Sequence, residues 1–437
     1  MLARICVRRI TSLFMLGLAA LIMPAAAADA QVEIEFWHPY GPPWDYGMEL
    51  AAEAFMEDYP HIRVNVVSVP DLHAKLPVVV AAGTAPDVAH VFGVHRLIEY
   101  SNGVLEPLDA YLERIPQWDP ADVIPGFLSS MEYNGSIWGM PAAAQPTALA
   151  WSRNAFDAAG LPPVEGWADE NLLTEYSIRL TRTNSSGQLE QVGFLPSGIW
   201  GGLFNWSYHW GGSFYDPESR RITPAHDANV AALTWISDLY DRYGGAAAVS
   251  QWQNQFTGGS NPLYLDKQGM ALFSHYHFFL AYDAAPDWEY GFAPPPQMGD
   301  AAWQPKGIVT HTDAHVVLKG TAHPYEATLF AWHSTVGEGY LRRSLVRTGH
   351  PSASISLNLR ALNEDLFPAW MPRELVAQNL EVLLKAREWP KIPVLGRLTD
   401  TVNATLGRVL NKEVAPRAAL EEVERVLQAQ LEEALTH

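Results

Sequence analysis

Trp37, His38 and Tyr40 fall within four residues of one another, with Trp44 just beyond, in a stretch that also carries Pro39, Pro42 and Pro43. Flat aromatic faces can cover the apolar C–H face of a ring-shaped ligand. Indole, imidazole and phenol edges can bond its rim, so this grouping suits a binding surface for a ligand with an apolar face and a polar edge. The other reading of Trp37 is packing against the neighbouring helix. Phe92 and His95 supply a second ring pair around Gly93, although His95 beside Arg96 could equally be the solvated start of a helix. Trp200 stands next to Gly201-Gly202, where the backbone can come close to a ligand. Trp206 and Trp210 are four apart, so on a helix one face would be core, and Trp206 or Trp210 is expected to pack there. Fifteen histidines also raise the question of a metal. The tight pairs, His275 with His277 and His311 with His315, lack a cysteine or carboxylate cluster to complete a site, and no metal or cofactor is expected.

The elements that must hold these residues follow from periodicity. Val32 to Phe36 alternates strictly and predicts a strand, with Trp37 to Pro43 as a proline-locked loop. A helix over Asp45 to Asp58, a strand over His61 to Val67, a helix over Ala74 to Ala82 and a strand over Asp87 to Phe92 complete a β-α-β-α-β run. Such a run implies a parallel sheet with crossover helices, which binds ligands beyond its carboxyl ends. Leu161 to Asp300 is helical in blocks, with Asn229 to Tyr243 clearly amphipathic. Ile308 to Leu318 returns to strand, Tyr325 to His333 to helix, and Pro416 to Leu435 predicts a terminal helix.

The first 30 residues read as a secretory signal peptide: Arg4, Arg8 and Arg9, then the apolar run Ile10 to Pro24, then Ala28-Asp29-Ala30 before a cut at Gln31. The apolar run is short for a membrane span, so an uncleaved anchor is the lesser reading. The only cysteine, Cys6, lies inside this segment, so the remainder has no disulfide and no lipid-attachment cysteine at the cut. A free periplasmic monomer is the expectation. Setting aside three arginines and one aspartate of that segment leaves 26 basic and 47 acidic residues, a net of about −21. Nucleic acid needs a basic footprint and is excluded as a partner. The remaining length exceeds what one core usually serves, so two domains are expected.

Three stretches carry a family resemblance. These are Gly83-Thr84-Ala85-Pro86-Asp87-Val88, then Asn134 to Pro141 with Leu149-Ala150-Trp151-Ser152-Arg153-Asn154, and then Gly269 to Ser274. In this order the chain resembles the solute-binding proteins of ABC importers, in the large sugar-binding family that includes the maltodextrin-binding proteins. The resemblance implies an α/β periplasmic-binding-protein fold of two lobes, each a mainly parallel sheet flanked by helices. Three crossings would join them, near Gly139–Gln145, Ala293–Lys306 and Thr348–Ala353, with the ligand cleft between the lobes. Lobe one would comprise 31–141 and 306–348, and lobe two 142–305 and 349–437.

The resemblance also implies roles. Gln145 would be a polar contact in the first crossing, where Ala142 to Ala144 and Pro146 offer no side-chain chemistry. Tyr276 would be a stacking ring, although Phe273-Ser274 replaces the Asn-Gly usual there. Asp313, in a loop that is glycine-rich in similar proteins, could accept two hydroxyls or cap a turn. Trp389 and Arg397 would close over the cleft. The implied activity is capture of a di- or oligosaccharide by hinge closure and delivery to a membrane permease, with no catalysis. A glycerol-phosphate or phosphodiester ligand is the alternative within the family, and a secreted carbohydrate-active enzyme the alternative outside it. An enzyme of that kind would want paired carboxylates in successive loops, which the sequence does not offer.

Overall fold

The computed structural model describes residues 31–42, 45–196, 202–256, 261–300, 302, 311–342 and 349–436. The expected signal segment, Trp44 and Trp200 lie outside them. Along the chain, the strands of the first region are β1 (Val32–His38), β2 (Ile62–Ser68), β3 (Val88–Phe92) and β4 (Met140–Gln145). Next come β5 (Thr147–Ser152), β6 (Arg182–Thr183), β7 (Leu189–Phe194), β8 (Gln268–Ser274) and β9 (Tyr290–Ala293). β10 (His311–Val317) follows. They form two five-stranded sheets, β2-β1-β3-β10-β4 and β9-β5-β8-β7-β6.

Both sheets are mixed. β1, β2 and β3 run parallel, but β10 opposes β3 and β4. In the second sheet β7 and β8 are parallel while β5 opposes both its neighbours. The cause is connectivity. β5 and β10 arrive from the other sheet and enter at the edge where the parallel strands end, so they must run the opposite way.

β1 extends past Phe36 to His38, where a loop was expected. Trp37 and His38 pair in register with Val67 and Ser68 of β2, and this paired backbone carries the strand on until Pro39. The helix Tyr46–Asp58 buries Met48, Ala51 and Phe55 as its spacing predicts. The helix Leu72–Ala81 contains Pro77. A proline there cannot donate to the carbonyl four residues back, which belongs to His73. The buried hydroxyl of Tyr100, on the helix Val94–Ser101, donates to that carbonyl instead at 2.8 Å. Tyr100→Phe is therefore expected to cost about 1 kcal/mol by removing the donor of a part-buried carbonyl. A urea titration checks this, and an unchanged midpoint would show the bond to be dispensable.

The first sheet packs Ile34, Phe36 and Val88 against Phe55 and Phe330 on one side, and Ala89 and Val91 against Leu72, Leu76 and Tyr100 on the other. The second body packs Val192, Phe194, Trp206, Trp210 and Trp235 together. Trp206 and Trp210 are buried, as their spacing predicts. The passage between sheets falls at Pro146, later than the expected 141/142 boundary, because Met140–Gln145 pairs with β10.

The tail also divides differently from the expected lobe two. Ser354 and Ser356 hydrogen-bond Asp122, and the helix Ile355–Glu364 packs Leu357 and Ala361 on Tyr340 and Leu341, which belong to the first lobe. The next helix, Arg373–Leu384, seats Leu375 and Val376 in the second lobe but Leu383 in the first. This helix bridges the lobes, and the chain returns to lobe two only beyond it. Among the described residues, no helix is long and apolar enough to cross a membrane.

Candidate ligand-binding site

β1 ends at His38, β3 at Phe92 and β4 at Gln145, and β10 begins opposite Gln145 at His311. These positions share one edge of the first sheet. In the second sheet β5 begins at Thr147, directly opposite Ser274 at the end of β8, with Phe194 ending the parallel β7. Only Pro146 separates Gln145 from Thr147, so the two edges meet across one residue. A ligand between them touches the carboxyl ends of both sheets.

On the first sheet this edge carries a polar aromatic cluster. The Tyr40 hydroxyl lies 3.0 Å from His90 Nε2 and donates to Asp313 Oδ2 at 3.4 Å. His90 Nε2 is itself 3.5 Å from that carboxylate. The assignment that serves all three groups has His90 Nε2–H donating to the Tyr40 oxygen while the phenol proton goes to Asp313. Phe92 stands edge-on to Tyr40 with ring centroids 5.5 Å apart, and His38 stacks on Tyr40 at 6.2 Å. Asp313 and His90 are buried, Tyr40 and Phe92 half-buried.

Two expectations change here. Trp37 and His38 are successive strand residues and point to opposite faces, so the three rings do not form one surface. Trp37 packs with Val69 and Leu72 behind the sheet. Asp313 is not in a loop but in β10, opposite Phe92. A register shift against β4 between Asp313 and Ala314 leaves Ala142 as an extra residue, a bulge of the kind that re-aims side chains.

His95, Trp389 and Arg397 come together in an interlobe cavity of about 1160 Å³. Its first-lobe wall is the helix Val94–Ser101, and its second-lobe wall includes the start of the helix Leu395–Leu410. The two walls meet at Gly396, where a Cβ would lie 3.5 Å from His95 Cδ2. Trp389 stacks one face on Phe204 at 4.8 Å. Arg397 is exposed and donates to Gln430 at 2.9 Å. The cavity's other charges are mixed: Arg96 pairs with Glu99 at 3.0 Å, and Asp400 and Glu433 also line the wall.

The second lobe adds Tyr276, half-buried one residue into the helix His275–Ala284 that follows β8. A smaller cavity of about 300 Å³ beside β7 and β8 is lined by Trp252, Phe256, Phe273 and His277. Gln145 is half-buried at the crossing itself. The site thus unites Tyr40, Phe92 and Asp313 in one cluster, and His95, Trp389 and Arg397 in another. Tyr276 and Gln145 sit at the facing edges, and Trp37 stands apart.

His90 was missed, although a histidine inside the apolar run Val88 to Phe92 was its signal. The aromatic lining of the smaller cavity had no local signal, because β7, β8 and the helix Ala246–Gln253 bring it together from distant segments. Among the described residues, no group of three or more His, Cys, Asp or Glu is placed to hold a metal ion.

Comparison with known proteins agrees with this geometry. A binding protein of Brucella abortus (strain 2308) is 26% identical over 318 residues, spanning 71% of this chain and 73% of its own. Among solved structures, CpMnBP1 with mannotriose bound is similar with a TM-score of 0.74 at 23% identity, over 90% of this chain and 99% of that one. An ABC substrate-binding protein from Listeria monocytogenes in complex with cycloalternan reaches 0.73 at 19% identity, over 92% and 99%. The sugar-binding protein MalE from Xanthomonas citri reaches 0.74 at 18% identity, over 92% and 98%. These likenesses establish the two-lobed fold. The family model of the bacterial extracellular solute-binding proteins matches residues 51–350, well over half of the chain, and the chain belongs to that family of binding proteins, which are not enzymes.

Proposed function

We propose that this protein captures a neutral di- or oligosaccharide between its lobes and delivers it to the permease subunits of an ABC importer, working as a periplasmic monomer. The observation that carries the reading is the chemistry at the facing sheet edges. Tyr40 and Phe92 offer ring surfaces beside the buried acceptor Asp313 at the edge of the first sheet, and His95 and Trp389 line an interlobe cavity of about 1160 Å³. That volume exceeds the roughly 1,000 Å³ upper range of ordinary small-molecule pockets, so it has room for more than one sugar ring. The similar structures from other bacteria hold mannotriose and cycloalternan, which accords with this class. Binding is hinge closure: a ligand that touches both lobes stabilises the closed arrangement by its extra contacts there.

A glycerol phosphate is the second reading, favoured by Arg397 and Arg96 on the cavity wall. Glu99, Asp400 and Glu433 line the same wall and oppose a dianion. Native mass spectrometry of the freshly purified protein, followed by a thermal-shift screen of mono- and oligosaccharides and glycerol phosphates, tests both. A sugar at 100 times its Kd should add about 2.7 kcal/mol of stability. Stabilisation by glycerol phosphates with no response to any sugar would replace the first reading by the second.

A further inference from the structure

We infer that the cavity of about 300 Å³ beside β7 and β8 seats one unit of a neutral sugar, and that His277 on its wall donates a hydrogen bond to that unit from Nε2–H. The inference rests on the carbohydrate reading above and adds a second-lobe contact to it. Leu195 and Pro196, just past the end of β7, and Phe273, near the end of β8, line the cavity. It therefore lies on the edge of the second sheet that faces the first lobe. Its volume is at the lower end of ordinary small-molecule pockets, enough for one ring. Among the described residues its lining holds no charged side chain, which suits a neutral ligand and not an ionic one.

The cap of the helix His275–Ala284 decides which end of His277 is on offer. The backbone N–H of Ser274 donates to His277 Nδ1 at 3.1 Å, while the Ser274 side chain accepts from the His277 backbone. Nδ1 is thus bare. Burial holds the imidazole at about 4, so near neutral pH its single ring proton sits on Nε2. One face of the ring stacks on Phe273, with centroids 5.0 Å apart. The ring is half-buried on the cavity wall, and its Nε2–H bonds nothing among the described residues. Gln268 and Asn261 on the same wall are tethered in a similar way. Gln268 donates to the Met270 carbonyl at 2.7 Å, and Asn261 accepts from the Leu263 N–H at 2.9 Å. That leaves an amide oxygen on one and an amide nitrogen on the other. Preset donors and an acceptor beside the rings of Phe256 and Phe273 match the rim and the faces of a sugar.

The test separates the two ends of the imidazole. In His277→Asn the amide stands where Nδ1 stood and still caps Ser274, but nothing reaches the place of Nε2. In His277→Gln the amide nitrogen takes the place of Nε2 and the cap is lost. Both are compared with wild type by thermal melting without ligand, and by calorimetric titration with whichever of mannotriose, maltotriose and the screened sugars stabilises wild type most. His277→Asn should melt close to wild type yet bind about tenfold more weakly. His277→Gln should melt lower yet bind more tightly than His277→Asn. A His277 that only caps its helix would leave His277→Asn with wild-type affinity, and that result overturns the inference alone. If no sugar binds wild type, the carbohydrate reading falls and this inference with it.

Discussion

Gly396→Trp is expected to weaken ligand binding by about tenfold to a hundredfold while leaving each lobe folded, whereas Gly396→Ala should bind like wild type. The helix Leu395–Leu410 presents Gly396 to the first lobe, and a methyl group there would sit 3.5 Å from His95 Cδ2 and 3.9 Å from its Cβ. Those are ordinary contacts, so alanine fits, and it is also the better helix former. An indole needs the volume that the His95 ring occupies. Overpacking of this kind costs about 1–3 kcal/mol where neighbours cannot yield. Here the neighbours yield by withdrawing the helix Leu395–Leu410 from the helix Val94–Ser101, which separates the lobes, and an indole that turns instead into the adjoining cavity fills the space a ligand would take. The cost therefore falls on the closed arrangement alone, and the apparent Kd rises as the binding-competent fraction falls. Calorimetry would measure the affinity, and small-angle scattering would show a larger radius of gyration that ligand no longer reduces. Wild-type affinity in the tryptophan variant would mean that this contact plays no part in closure.

The path from sequence to site was uneven, for physical reasons. Local periodicity exposed most elements of the first lobe, because a strand or helix with one buried face writes that face into its own residues, as Met48, Ala51 and Phe55 do. It failed where a partner far along the chain decides the outcome. Trp37-His38 reads as the start of a loop, yet β2 supplies the backbone that extends the strand through it. Asp313 reads as loop, yet β3 and β4 flank it on both sides. The Tyr40–His90–Asp313 cluster draws on the loop after β1 and on the strands β3 and β10, and no spacing along one segment could announce it. The tail division was illegible for the same reason: Leu375 and Leu383 belong to one helix but to the cores of different lobes. Trp200, placed by sequence at the ligand, lies outside the described residues and stays part of the proposal.

Folding stability should fall steeply as pH drops from about 6.5 to about 4, with the buried His209 contributing about 3 kcal/mol of the loss and the half-buried His277 a smaller share. His209 is buried at the end of the helix Gly202–His209, and its Nδ1 bonds the Pro296 carbonyl at 2.9 Å. Burial pushes it down to about 4 against the weaker opposing pull of that carbonyl. His277 is also held at about 4 by burial, and its Nδ1 accepts from the Ser274 N–H at 3.1 Å, a bond that protonation would break. Above pH 6.5 both rings are neutral whether the chain is folded or not, and no proton is exchanged on unfolding. Between 6.5 and 4 the unfolded chain binds protons that the folded one refuses, so acid favours unfolding. Below 4 both states are protonated and these two groups add nothing more. His73, His275 and His333 are lowered by burial too and act in the same sense. Since a whole domain is stable by only about 5–15 kcal/mol, the protein should lose its fold before reaching pH 4. Urea midpoints at pH 7, 5.5 and 4.5 would trace the slope. His209→Gln, whose side-chain amide can still donate to Pro296, should flatten it, and a midpoint indifferent to pH across this window would show that these histidines take up protons without unfolding.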